Sequence, residues 1–504
     1  MPQPGRALSV YSSQQTKPSI RIKEPMTNNP LLQLTRRTFL QDCGVGTGKV
    51  ALASLLSTST YAKKSWAEGQ GKTLSGQVKP HHQPQVKAVI HLFMAGAPSQ
   101  LELFTEKPLL RELEGQPLPD SILGDQRYAF IQANAGVLGP QFKFGKYGEG
   151  GQEISEALPH LQTIADDICM FRAVHTDQFN HAPGQIFFNT GFGQPGRPSI
   201  GSWAMYALGA DTQNLPAYVV MNTGGGLSGG AGLYSSGFLP TVNTGVMFRN
   251  QGAPILNVDT PKGISNQGQK NTFNVLKTLN EQQYEKLNDP EIQTRISSFE
   301  MAARLQVSAP ELMDLHQETQ ETLDLYGCKP EQASFARACL LARRMVQRGV
   351  RYINIFNSGW DAHSDVKGNS SSNCTKTDQA SAALVKDLKR LGLLDRTLVV
   401  WGGEFGRTPM VEQNPTLGRS NGRDHHPQAY TMWMAGGNMK PGFSMGQTDD
   451  FGFHPTEDAV HVHDIQATIL HQLGLNHEKL TYHHAGRDFR LTDVHGQVIS
   501  KAMV

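Results

Sequence analysis

Residues 86–94 read Val-Lys-Ala-Val-Ile-His-Leu-Phe-Met, and the run ends in Ala95-Gly96-Ala97-Pro98. A short, nearly unbroken apolar stretch closed by turn residues predicts a strand buried on both faces, then a loop. The pattern recurs. Strands are predicted over 168–174, 216–222, 351–356, 397–401 and 430–435, with helices over 183–190, 334–347, 378–391 and 465–473. Residues 154–164 are also helix-like, with Pro159 marking a kink or the true start. Strands that alternate with helices predict an α/β fold with a mainly parallel β-sheet and helices on both faces. In such sheets functional residues collect at the carboxyl ends of the strands.

The remaining features bound the chain. Its 504 residues predict one large domain with insertions, or two domains. With 38% hydrophobic and 18% charged residues it reads as globular, and a net charge of +2 without a Lys/Arg block argues against a nucleic-acid face. After the leader no apolar run is long enough for a transmembrane segment. The glycines of 223–256 read as a long loop, because no Gly-Lys-Ser/Thr follows to make a phosphate-binding loop. Residues 270–327 are helical in pattern and read as an insertion. The cysteines, Cys43, Cys169, Cys328, Cys339 and Cys374, contain no CxxC pair, which argues against a thiolate zinc site; spacing leaves disulfides open.

Thr35-Arg36-Arg37-Thr38-Phe39-Leu40 precedes a small, moderately apolar stretch from Val45 to Leu56, with Ala62 or Ala67 ending candidate cleavage sites. Basic, then apolar, then small is the layout of a signal, here of twin-arginine type. Residues 1–67 are therefore read as a signal segment, 68–85 as a linker and 86–504 as the folded part. Export to the periplasm or the extracellular space is the expectation.

Polar clusters lie beside the predicted strands. Asp361 and His363 follow one, Glu404 another, and Asp424, His425 and His426 precede a third. Carboxylates and imidazoles together are what a divalent metal needs, and three clusters meeting on one sheet edge predict such a site. Arg407 follows Glu404 and is a candidate to pair with an anionic substrate. Upstream, His181 precedes Pro183 at a predicted helix start, where the helix dipole favours nearby negative charge. Asn180 is an ordinary N-cap candidate there. His461 and His463 are weaker ligand candidates.

Taken together, FMAGAPSQ at 93–100, FNH at 179–181, GWDAH at 359–363, GGEFGRTP at 402–409, GRDHHP at 422–427 and the tail from Thr468 to Arg487 resemble the DUF1501 family. That resemblance implies a sulfatase-like branch of the alkaline phosphatase superfamily, often exported. It implies metal ligands at Asp361, His363 and His425, with His426 competing, and a carboxylate ligand or base at Glu404. It places His181 at the nucleophile position, where no Cys or Ser stands, which argues against a formylglycine sulfatase. Phe405 replaces an expected His. Ala95-Gly96 replaces an expected metal-binding Asp, with Glu102 a nearby substitute. The implied function is a metal-dependent hydrolase of sulfate or phosphate esters, with sulfated polysaccharide among candidate substrates. The alternative is a non-catalytic binding protein with a structural metal. Zinc is favoured by the histidines, with manganese and calcium as alternatives.

Overall fold

A computed structural model describes residues 78–504, apart from 124–127, 129, 132–133 and 256–262. The predicted signal and the first part of the predicted linker lie outside the described residues. The rest of the linker, 78–85, is bonded to the domain: His81 and His82 donate backbone N–H groups to Gly474, and Gln85 to Gln472.

In chain order the strands of the central sheet and of one hairpin (β7 and β8) are β1 (Ala88–Ala95), β2 (Ile168–His175), β3 (Tyr218–Asn222), β4 (Val246–Phe248), β5 (Tyr352–Ser358), β6 (Thr397–Gly402), β7 (Gly406–Asn414), β8 (Arg419–His426), β9 (Tyr430–Ala435), β10 (Ser444–Met445) and β11 (Val460–His461). Nine strands form the central sheet, in the order β10-β2-β9-β6-β1-β5-β3-β4, with β11 also on β2. Only β9 runs antiparallel to its neighbours, β2 and β6; every other pairing is parallel. The sheet is therefore mainly parallel, and the carboxyl ends of β1, β2, β5 and β6 share one edge.

Side chains alternate across the sheet, so β1 feeds two cores. Ile90, Leu92 and Met94 pack with Leu340, Leu341 and Leu384, which lie on α6 (Phe335–Gln347) and α7 (Val366–Arg390). Val89, Phe93 and Ala95 pack with Phe188, Trp203 and Ile465, on α1 (His181–Thr190), α2 (Ile200–Leu208) and α8 (Val462–Gln472). All eight β1 residues are buried, as the unbroken run requires.

The predicted insertion is helical: α3 (Asn266–Leu287), α4 (Pro290–Met313) and α5 (Gln320–Tyr326). Glu318, between α4 and α5, ties it to the body by pairing with Arg344 at 2.9 Å and with Arg343, which also meets Asp387 at 2.9 Å.

Three elements depart from the sequence reading. Residues 154–164 are not a helix; a strand over Gln152–Ser155 is followed by a 3-10 turn over Leu161–Asp167. Helix α7 begins at Val366, because Asp365 caps it by accepting from the Gly368 N–H and outweighs a Ser/Asn-rich first half. Residues 406–426 form an antiparallel hairpin, β7–β8, turned at Pro415–Leu417 with Gly418 left-handed at φ 64°. Its first strand buries Arg407, Thr408 and Glu412 among Gly406, Pro409 and Met410, a pattern that apolar periodicity does not detect.

Candidate metal centre

Four candidate side chains are delivered to the shared sheet edge by three different elements. Asp361 and His363 sit in the turn after β5. His181 is the first residue of α1, and His425 lies on β8 directly opposite Arg407 of β7. Ligand atoms of His181, Asp361, His363 and His425 all fall within 4.8 Å of one another.

Asp361 is the hub. Its Oδ1 lies 2.9 Å from His181 Nε2, 3.0 Å from His363 Nε2 and 3.5 Å from His425 Nε2. At 41% exposure its side chain is the part of the group that solvent reaches, while the imidazoles are largely covered. Burial alone would raise its carboxyl pKa; contacts from the three imidazoles and the Arg407 guanidinium hold it well below the usual carboxylate range.

Each imidazole is pinned from behind at Nδ1. His181 Nδ1 is 2.7 Å from Glu404 Oε1, His363 Nδ1 is 2.5 Å from Glu412 Oε2, and His425 Nδ1 is 2.8 Å from the Phe179 carbonyl. These acceptors assign the proton to Nδ1 and leave the Nε2 lone pairs facing the centre. His425 Nε2 and His363 Nε2 then stand 3.1 Å apart, lone pair toward lone pair, which calls for a proton or cation between them. His181 Nε2 is buried and makes no hydrogen bond, despite its nearness to Asp361. Rings oriented from behind, nitrogens converging on an exposed carboxylate and an orphaned buried nitrogen together fit a divalent cation.

The other predicted residues occupy supporting places. Glu404 is fully buried and sits behind His181; its Oε1 also accepts from the Gly96 N–H at 2.9 Å and from Gln185 Nε2 at 3.1 Å. Arg407 does not face solvent for a substrate. It is fully buried and donates to Asp361 Oδ1 at 2.6 Å and to the carbonyls of Gly96, Ala97 and Arg423. His426 stands outside the group, with Nε2 2.6 Å from the Phe453 carbonyl and burial pushing its pKa down to about 4. Glu102 does not replace a missing ligand; it is buried against Arg423, 2.8 Å away, and accepts from the Gln141 N–H. Asn180 holds the N-cap position of α1 without a side-chain cap bond. His461 caps α8, and with His463 lies in a separate row of rings that includes His175.

Gly96 explains why no aspartate ends β1. Its φ is +109°, and a Cβ there would stand 2.6 Å from the Asp361 backbone nitrogen. Glycine lets the β5 turn close on β1, so the central carboxylate comes from Asp361. The residue that sequence reasoning missed is Glu412. It belongs to no motif, and its one signal is a lone carboxylate within a buried strand.

No curated protein matches the sequence. Among solved structures the chain is similar to Ps i-CgsB in complex with k-i-k-neocarrahexaose, at 10% identity and a TM-score of 0.35, covering 78% of this chain and 72% of that one. It is similar to the PsFucS1 sulfatase from Pseudoalteromonas sp., at 12% identity and a TM-score of 0.32, covering 79% and 69%. It is also similar to the alkaline phosphatase of the Antarctic bacterium TAB5, at 11% identity and a TM-score of 0.30, covering 78% and 99%. Over residues 86–503 the sequence matches the family described as "Protein of unknown function (DUF1501)", and the chain belongs to that family.

Proposed function

We propose that this chain is an exported, metal-dependent hydrolase of phosphate or sulfate esters. The observation that carries the reading is the convergence of three back-pinned imidazoles on the exposed Asp361 carboxylate. Asp361, His363 and His425 would hold the cation. Three protein ligands leave a place for water or substrate, as in catalytic rather than structural zinc sites. The nitrogen-rich set favours zinc over manganese, and either over calcium. When bound, such a cation supplies Lewis acidity toward the ester's anionic oxygens and lowers the pKa of water.

His181 has a different task in this reading. Its Nε2 faces the centre with no hydrogen-bond partner, and its Nδ1 is held by the buried Glu404. It accepts at Nε2 the proton of a water attacking the ester, and Glu404 stabilises the imidazolium that results. Arg407 fixes Asp361 in place rather than binding substrate. Export through residues 1–67 would bring the protein to extracellular anionic esters, sulfated polysaccharides among them.

A second reading, a binding protein that keeps the metal without catalysis, is favoured by the Phe405 ring. It lies 4.9 Å from His181 and 4.8 Å from His425, where a further polar group would be of use. Hydrolysis of aryl phosphates and aryl sulfates by the zinc-loaded protein separates the two. The hydrolase reading expects turnover that a chelator removes, zinc restores, and His181→Asn lowers about a hundredfold or more. Zinc bound with no turnover of any ester would leave the binding reading.

A further inference from the structure

Among the described residues three aromatic side chains are exposed large hydrophobics: Phe130, Phe179 and Phe192. Two of them are tied to His425. The Phe179 carbonyl binds His425 Nδ1, and the Phe130 ring meets His425 edge-on at 5.7 Å and His363 edge-on at 4.8 Å. A lone exposed phenylalanine needs no explanation. Phe130 is different because its backbone is anchored: the buried Asp424 carboxylate, next to His425, accepts from the Phe130 N–H at 2.7 Å and from the Ile131 N–H at 3.2 Å.

A cation covers the same ring. The Arg419 guanidinium carbon stands 4.4 Å from the Phe130 ring centroid. Arg419 is anchored as well, through Nη1 to Glu412 Oε1 at 2.6 Å, while the other oxygen of Glu412 holds His363. The Arg419 side chain stays 23% exposed, so solvent or a ligand can reach it. Asp424 and Glu412 thus contact the two candidate metal-binding histidines and also hold Phe130 and Arg419 beside them. A partly exposed aromatic ring and a partly exposed guanidinium, fixed beside an anion-attracting centre, suit a molecule with a flat ring next to its anionic group.

We propose that Phe130 and Arg419 form a substrate subsite that selects esters whose organic part presents an aromatic or similarly flat ring beside the phosphate or sulfate. This assignment rests on the hydrolase reading of the Asp361 centre. Isothermal titration of the zinc-loaded full chain with phenylphosphonate and with methylphosphonate, neither of which has an ester bond to hydrolyse, tests it. The subsite predicts a preference of about tenfold or more for the phenyl ligand, the size of one aromatic contact. The preference should fall to near one in Phe130→Ala and persist in Phe130→Trp, which keeps a ring there. Arg419→Gln should weaken both ligands. Equal affinity of the two phosphonates for the wild type would overturn the subsite and leave the anion-binding centre standing. Binding of neither ligand would overturn both, with the failure lying in the centre itself.

Discussion

Glu412→Gln should weaken zinc binding about tenfold without unfolding the protein. Glu412 touches no metal in this account. Its carboxylate accepts from His363 Nδ1, which fixes the ring and makes Nε2 a better donor to a cation. A hydrogen bond to a charged partner is worth roughly 1.5–3 kcal/mol and one to a neutral partner roughly 0.5–1.5 kcal/mol, so exchanging carboxylate for amide removes about 1–1.5 kcal/mol. That difference is about tenfold in affinity. Glu412→Ala removes the acceptor entirely and should reach about a hundredfold. Arg419 also loses its partner, but at 23% exposure it can turn to water, so the fold should survive. Competition with a chromogenic chelator gives the zinc affinity, and urea unfolding of the metal-free protein gives the stability control. Wild-type zinc affinity in both variants would show that the Nδ1 contact orients nothing of consequence.

Other outcomes follow from the same geometry. Gly96→Ala should cost at least about 2 kcal/mol in urea unfolding and abolish zinc binding, since a Cβ at φ +109° collides with the Asp361 backbone. Glu102→Gln should cost about 3 kcal/mol, read from chemical unfolding, because it leaves Arg423 buried without its counter-charge. Zinc should be released as pH falls, since an imidazolium cannot ligate; burial lowers the His363 pKa, but Asp361 and Glu412 outweigh it and raise the value, so dialysis at stepwise lower pH followed by elemental analysis should show occupancy declining. Cys169, Cys328, Cys339 and Cys374 are unpaired and buried, so they should react with a thiol reagent after denaturation without reductant, and hardly at all in the native protein.

The mainly parallel sheet was legible because strands buried on both faces cannot hide their apolar runs: Ala88–Ala95 and Thr397–Gly402 stand out from the sequence alone. The β7–β8 hairpin was not legible, because Arg407, Glu412, Arg423 and Asp424 are buried there by pairing rather than by hydrophobicity. Asp361, His363 and His425 can be singled out as candidates because metal-ligating residue types cluster beside strand ends. What each polar residue faces could not be read the same way. Arg407 and Glu404 have the chemistry to meet substrate or metal, yet tertiary packing sets them behind Asp361 and His181. His425 and His426 are adjacent on one strand and point to opposite sides, so local sequence offers no ground for choosing between them. The structure puts His425 in the cluster and bonds His426 to the Phe453 carbonyl.

The central claim is that Asp361, His363 and His425 hold one divalent cation. Elemental analysis of the purified chain, beside His363→Ala and His425→Ala, tests it most directly. Close to one equivalent of a divalent metal is expected in the wild type and almost none in either variant, with circular dichroism unchanged. A folded wild type that takes up no metal after incubation with zinc or manganese would contradict it.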